Sequence, residues 1–207
     1  MIAKEIILIG TGGHAKSCIE VIESTGEYSI AQVIGQEADL GSLVLGHEVR
    51  HTDADLVNLK DKYDFAFIGV GQIRNPDMRI KLFLTLSKIG FKLPTIISKT
   101  AIVSEFAQIG KGSIVMHGAI LNADCVIGEN VIINSASLIE HDANIGNHCH
   151  IATRVTVNGG AQIGERTFLG SGTVVRNGID VGSNSFVGMG SVVSKSLPSK
   201  SVYKEDL

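Results

Sequence analysis

IGENVIINSASLIEHDANIGNHCHIATRVTVNGGAQI, residues 127–163, carries an aliphatic residue at every sixth position: Ile127, Ile133, Ile139, Ile145, Ile151, Val157 and Ile163. Followed outward, the series begins at Ile97 and ends at Val193, with seventeen hits in seventeen hexapeptides. The residue after each aliphatic is often Gly, Asn or Ser, and the residue four on is usually small, as at Ala119, Cys125, Ser137, Ala143 and Ala161. A period of six matches neither a helix nor an alternating strand, so the stretch reads as a hexapeptide β-solenoid. Each short strand points an aliphatic inward, turns, and leaves the corner to a small side chain. Three such strands close a triangular coil of about eighteen residues, and each coil buries its neighbours. The repeat supplies between five and six coils.

The chain has 207 residues, 44% of them hydrophobic, and a formal charge of −3, a balance that excludes a basic nucleic-acid binder. It holds 24 glycines against 5% aromatics and no Trp, which suits thin coils with tight corners. Cys18, Cys125 and Cys149 have no metal or redox spacing and read as reduced thiols, the latter two as fillers in the small-residue slot. No apolar run is long enough for a membrane span, and residues 1–9 already read as a strand rather than a signal peptide. A cytoplasmic protein is expected.

Upstream of the repeat, Glu5–Ile9 form an apolar run that ends in Gly10-Thr11-Gly12-Gly13-His14-Ala15-Lys16, after which Cys18, Ile19, Val21 and Ile22 fall at helical spacing. This is a strand, a glycine turn and a helix whose open N–H groups and dipole suit an anion. A second strand is expected over 29–34, a short helix over 53–63, and a buried parallel strand from Phe65 into Gly69-Val70-Gly71. A helix then runs from Pro76 to about Lys88 with Ile80, Phe83, Leu84 and Ile89 on its apolar side. Alternating strands and helices predict a small Rossmann-type sheet. The domains expected are 1–95, α/β, and 96–207, all-β. Hydride transfer is not expected, because Glu37 is the one nearby candidate for a ribose carboxylate and a second mononucleotide half is missing.

Within the solenoid, Ile139-Glu140-His141-Asp142 sets a histidine at an outward position of its hexapeptide. A neutral imidazole there can accept a proton from an attacking amine or hydroxyl, and Asp142 can hold its tautomer. Eighteen residues on, the next coil brings Gly159 over His141, leaving room for a ligand and an N–H for a developing oxyanion. His117, His148 and His150 are spaced from His141 in steps of 24, 7 and 2, unlike the zinc ligands of β-helix carbonic anhydrases, and no metal is expected.

With the glycine turn, the uninterrupted hexapeptides and the string Ser137-Leu138-Ile139-Glu140-His141-Asp142, the chain resembles the NeuD/PglD family of sugar acyltransferases over nearly its whole length. The resemblance implies a left-handed β-helix behind a Rossmann-like domain, a homotrimer, and sites between subunits for acetyl-CoA. It implies His141 as general base oriented by Asp142, His150 near the acetyl carbonyl, and Gly159 as an N–H donor to the acetyl donor. It implies Gly170, Ser171, Gly188 and Met189 along the pantetheine channel, and Gly10, Gly12, Gly13 and His14 in the nucleotide turn. Gln36, Glu37, Gly71 and Arg74 fall where relatives contact the nucleotide sugar. The activity implied is acetyl-CoA-dependent N-acetylation of a nucleotide-linked amino sugar for surface glycan synthesis. O-acetylation of sialic acid or a related sugar, and a non-catalytic nucleotide-sugar-binding trimer, are the alternatives. Departures fall at Gly35-Gln36-Glu37, where relatives carry an Asp pair, at Gly71-Gln72-Ile73-Arg74-Asn75, and in the tail 200–207, which lacks a G-x-P-A-K ending.

Overall fold

A computed structural model describes residues 3–204. It divides into two compact units: residues up to Gly71 together with Asp77–Lys99, and Gln72–Pro76 together with the residues from Thr100 onward.

In the first unit, β1 (Lys4–Ile9), β2 (Tyr28–Gly35), β3 (Leu43–Val44), β4 (His47–Thr52) and β5 (Phe65–Ile68) form one sheet in the order β3-β4-β2-β1-β5. Only β3 runs antiparallel, as a hairpin with β4 at the edge. The sequence reads as a Gly-containing loop there, with Leu43 to Leu45 between Gly41 and Gly46; the structure instead pairs Leu43–Val44 with His47–Glu48, burying Val44 and leaving Leu43 and Leu45 exposed. Strand β1 lies between β2 and β5, and Ile6, Ile7 and Leu8 are wholly buried, as a parallel strand covered on both faces requires. Helix α1 (Gly13–Thr25) buries Ala15, Cys18, Ile19, Val21 and Ile22. Helix α2 is shorter than expected, Leu56–Lys60, after a 3₁₀ turn at Asp53–Asp55.

Helix α3 (Asp77–Ile89) corrects the apolar side expected from its sequence. The buried positions are Arg79, Leu82, Phe83 and Leu86, whereas Leu84 is 60% exposed. A charged residue occupies one core position of an i, i+3, i+4, i+7 stripe, which displaces the hydrophobic pattern by about one residue.

The second unit is a left-handed parallel β-helix with the expected period. On its first face Ile102–Val103, Ile120–Leu121, Leu138–Ile139, Thr156–Val157, Val174–Val175 and Val192–Val193 pair in sequence. The second face stacks Gln108–Ile109 through Asp180–Val181, and the third runs from Ile114–Val115 to Val202–Tyr203. From Val115 to Val193 the aliphatic series forms the buried interior, with Val103 and Ile109 partly buried against it and the first member, Ile97, 38% exposed; Ala119, Cys125, Ala143, Cys149 and Ala161 fill its corners at 0% exposure. At these corners the fourth residue of the hexapeptide adopts a left-handed backbone, φ 58° at Asp124, 56° at Asn130 and 58° at Asp142. Its N–H bonds back to the preceding coil, as Asp142 N–H does to the Ala123 carbonyl.

Gly110, Gly128, Gly146, Gly164 and Gly182 form a column at the corner between the second and third faces. A Cβ on each would meet backbone of the following coil within 2.9 Å. The final coil is shorter than the repeat: Leu197 bridges to Val181, sixteen residues back, and Val202–Tyr203 pair with Phe186–Val187. The tail to Tyr203 therefore extends the third face; its last residues, 205–207, lie outside those described.

All three cysteines are buried and reduced. Burial pushes the Cys18 and Cys149 thiols up to about 12 and Cys125 up to about 11. The native protein should therefore give no rapid reaction with an aromatic disulfide reagent, and three thiols once unfolded in denaturant. Fast labelling of the native chain would contradict this packing.

Candidate active site

His141 and Asp142 occupy the corner between the first and second faces, following strand Leu138–Ile139. Their side chains are 66% and 65% exposed, and His141 Nδ1 stands 2.7 Å from Asp142 Oδ2. The left-handed turn at Asp142 permits this neighbouring pair to meet. With the carboxylate accepting from Nδ1–H, Nε2 keeps its lone pair. The hydrogen bond to Asp142, reinforced by its charge and that of Glu140, holds the imidazole above the usual histidine range. Glu140 accepts a hydrogen bond from Asn122 Nδ2 at 2.8 Å, on the coil before.

The eighteen-residue spacing does bring Gly159 over the ring. A Cβ built on Gly159 would lie 2.8 Å from both Cε1 and Nε2 of His141, so the missing side chain is what leaves space at the basic nitrogen. Gly160 N–H donates to the His141 carbonyl and Gly178 N–H to the Gly159 carbonyl. These bonds fix the glycine peptide over the ring.

The other solenoid candidates lie elsewhere on the coil. Gly170, Ser171, Gly188 and Met189 stack at the corner between the third and first faces, where Gly190 N–H donates to the Ser171 carbonyl. Met189 is 70% exposed there. His150 is on the third face and only 8% exposed. Its Nδ1–H donates to the backbone carbonyl of Gln72, and its ring sits edge-on to Phe168 at 5.2 Å. Gln72 Nε2 also donates to the His148 carbonyl at 2.7 Å. The Arg74 guanidinium lies 5.5 Å above the Phe186 ring. The segment 72–76 thus covers part of the third face, a role nothing in its sequence announces. His117 pairs with Thr100 and His148 with Asn130.

In the first unit, Gly12 precedes α1 with extended backbone and no side-chain cap, and a Cβ added to either Gly12 or Gly13 would meet no atom within 4 Å. The open N–H groups at the start of this thirteen-residue helix are of the kind that suit an anion. Gly10, at φ 123°, lies against Gly69 and Val70, and a Cβ on Gly71 would touch His14 at 3.3 Å. His14 Nε2 is 3.5 Å from Cys18 Sγ. Beyond β2, Gln36 and Glu37 are exposed, and the carboxylate turned toward the glycine turn is that of Asp39. It accepts from Thr11 Oγ1 at 3.0 Å and from Gln36 N–H at 2.9 Å. The sequence points to Glu37 alone. Thr11 within the glycine motif, with a hydroxyl that needs an acceptor, is the signal that could have found Asp39.

Comparison with known proteins agrees with this layout. Residues 5–86 match the PglD N-terminal domain, residues 106–141 the bacterial transferase hexapeptide (six repeats), and residues 160–195 the hexapeptide repeat of succinyl-transferase. No curated protein gives a significant sequence match. Among solved structures, a histidine-to-asparagine variant of perosamine N-acetyltransferase from Caulobacter crescentus, in complex with CoA and GDP-perosamine, is 34% identical. The match covers 95% of this chain and 91% of that one, with a TM-score of 0.88. The acetyltransferase domain of PglB from Neisseria gonorrhoeae, in complex with acetyl coenzyme A, is 30% identical over 95% and 93% of the two chains at a TM-score of 0.87. WeeI from Acinetobacter baumannii shares the fold, at 23% identity over 96% and 95% and a TM-score of 0.84. The fold and the matches define an acyltransferase that acts on a sugar. The chain belongs to the NeuD/PglD family of sugar acetyltransferases. Among the described residues no helix is long and apolar enough to cross a membrane.

Proposed function

We propose that the protein transfers the acetyl group of acetyl-CoA to the amine of a nucleotide-linked amino sugar, with His141 as general base. The observation that carries this reading is the 2.7 Å His141–Asp142 pair with its free imidazole edge beneath Gly159. His141 Nε2 takes the amine proton as the nitrogen attacks the acetyl carbon, forming the C–N bond while the C–S bond breaks. Asp142 holds the ring tautomer and stabilises the imidazolium, which returns its proton to the departing thiolate. The Gly159 N–H, which has no backbone acceptor among the described residues, supports the developing oxyanion. The cradle at Gly12 and Gly13 takes the nucleotide diphosphate. The complexes of the relatives with CoA, acetyl coenzyme A and GDP-perosamine support these substrate classes.

The active assembly is proposed to be a homotrimer. The outward side chains of the first face, Ile102 at 64% exposed, Val174 at 37% and Val192 at 53%, join the half-buried Ile120 and Leu138 in a mostly apolar ladder with Thr156 as its polar rung. Such a ladder fits a second copy better than water. Assembly also explains why the candidates at two corners of the coil need not meet within one chain.

The deciding experiment assays CoA thiol release against a panel of amino-sugar nucleotides and free sialic acids, with mass spectrometry of the products. Turnover with an amino-sugar nucleotide is expected; turnover with sialic acid alone would replace N-acetylation by O-acetylation. A narrower test is Gly159→Ala. The added methyl displaces an exposed ring rather than backbone, so kcat should fall by about 10²-fold while Tm stays within about 3 °C of wild type. Unchanged kcat in that variant would remove His141 from beneath Gly159.

A further inference from the structure

Arg79 is 1% exposed, on the inner side of α3, in a position where an apolar residue would complete the core stripe. Its Nη1 donates to two backbone carbonyls, Ile68 at 2.6 Å and Val70 at 2.8 Å, which flank Gly69 at the end of β5. A buried guanidinium is costly to desolvate, and burial lowers it to about 10, so it remains charged at neutral pH. Such an expense is matched by a local task. The strand end that it grips is the floor of the glycine turn. A Cβ on Gly10 would be 3.0 Å from the Gly69 carbonyl carbon and 3.1 Å from Val70 N. One on Gly69 would be 3.1 Å from Ala15 Cα, and one on Gly71 would be 3.3 Å from His14 Cβ. Gly69 N–H in turn donates to the carbonyl of Ile9, the last residue of β1. Residues 69–71 therefore touch Gly10, His14 and Ala15 with almost no slack, and a shift of the strand end reaches all three.

We infer that Arg79 is a positioning residue for the nucleotide sugar: by clamping the Ile68 and Val70 carbonyls it holds Gly10 and His14 in their binding geometry. The inference rests on the reading that the glycine turn holds the nucleotide. Arg79 touches no substrate itself, and its influence passes through backbone. Lysine at this position keeps a donor, but on a shorter stem with a single nitrogen whose charge burial readily neutralises. Methionine fills much of the volume and donates nothing.

The test titrates UDP, GDP and acetyl-CoA calorimetrically into the full-length wild type, Arg79→Lys and Arg79→Met, and measures kcat and both KM values with the amino-sugar nucleotide found to be a substrate. In Arg79→Met the Kd of the bound nucleotide and the KM of the nucleotide sugar should rise by about 10-fold or more. In Arg79→Lys they should rise by less, while kcat and the acetyl-CoA constants stay within about twofold in both. Unchanged nucleotide affinity in a folded Arg79→Met variant overturns the inference, as does equal weakening of nucleotide and acetyl-CoA. Failure of both variants to fold assigns Arg79 to stability alone and overturns it too. If the wild type binds neither UDP nor GDP, the reading of the glycine turn fails first and the inference falls with it.

Discussion

Replacing His141 with alanine should lower kcat by about 10²–10⁴, the usual contribution of a positioned general base. The ring is 66% exposed and packs in no core, so the variant should fold, assemble and bind acetyl-CoA like the wild type. The pH profile sharpens the test. A base acts in its neutral form, and the hydrogen bond to Asp142 raises the imidazole above its usual range of about 6.5. Activity should therefore be lost as pH falls through that raised value, giving kcat/KM an acid limb with a midpoint above 6.5. In Asp142→Asn the limb should move to lower pH, since the dominant cause of the shift is removed, and the maximal rate should drop as the ring loses its fixed tautomer. Near-wild-type turnover in His141→Ala, or an acid limb that ignores Asp142, would remove the pair from the chemistry.

The second large effect concerns stability. Gly146→Ala should destabilise the protein by about 3 kcal/mol, at the upper end of overpacking costs, and lower Tm by about 6–12 °C. The new methyl would sit 2.6 Å from Glu165 N and 2.9 Å from Glu165 Cα, which are backbone atoms of the next coil. Relief requires separating the coils, and Gly146 N–H already donates to the Ile163 carbonyl at 2.7 Å across that gap. Calorimetry against Gly159→Ala provides the control, because there the obstructing atoms belong to a side chain that can turn away. Equal Tm values for the two variants would contradict the packing account.

The repeat was legible because its cause is local and periodic. Each coil imposes the same demand on the residue six positions on, so Ile97 through Val193 display the fold in one dimension. Gly159 over His141 followed from the same arithmetic, since parallel coils stack residues eighteen apart. The period failed where the chain leaves it: the sixteen-residue last coil could not be counted out in advance, because Leu197 is held by its bridge to Val181 and not by phase. The edge hairpin at Leu43–Thr52 was missed for a related reason, as exposed leucines carry no record of the strand they pair with.

Order along the chain was enough to specify the solenoid and its phase, the strand, glycine turn and helix at the start, and the His141–Asp142 pair. All of these are set by near neighbours or by a constant repeat. Folding in three dimensions was needed to settle that Asp39 rather than Glu37 faces Thr11, that Gln72 caps His150, and that Arg79 lies inside gripping Ile68 and Val70. Those choices depend on which buried polar group finds a partner across distances of 9 to 78 residues. No local pattern encodes such a partner; only the folded backbone brings the acceptor to the donor.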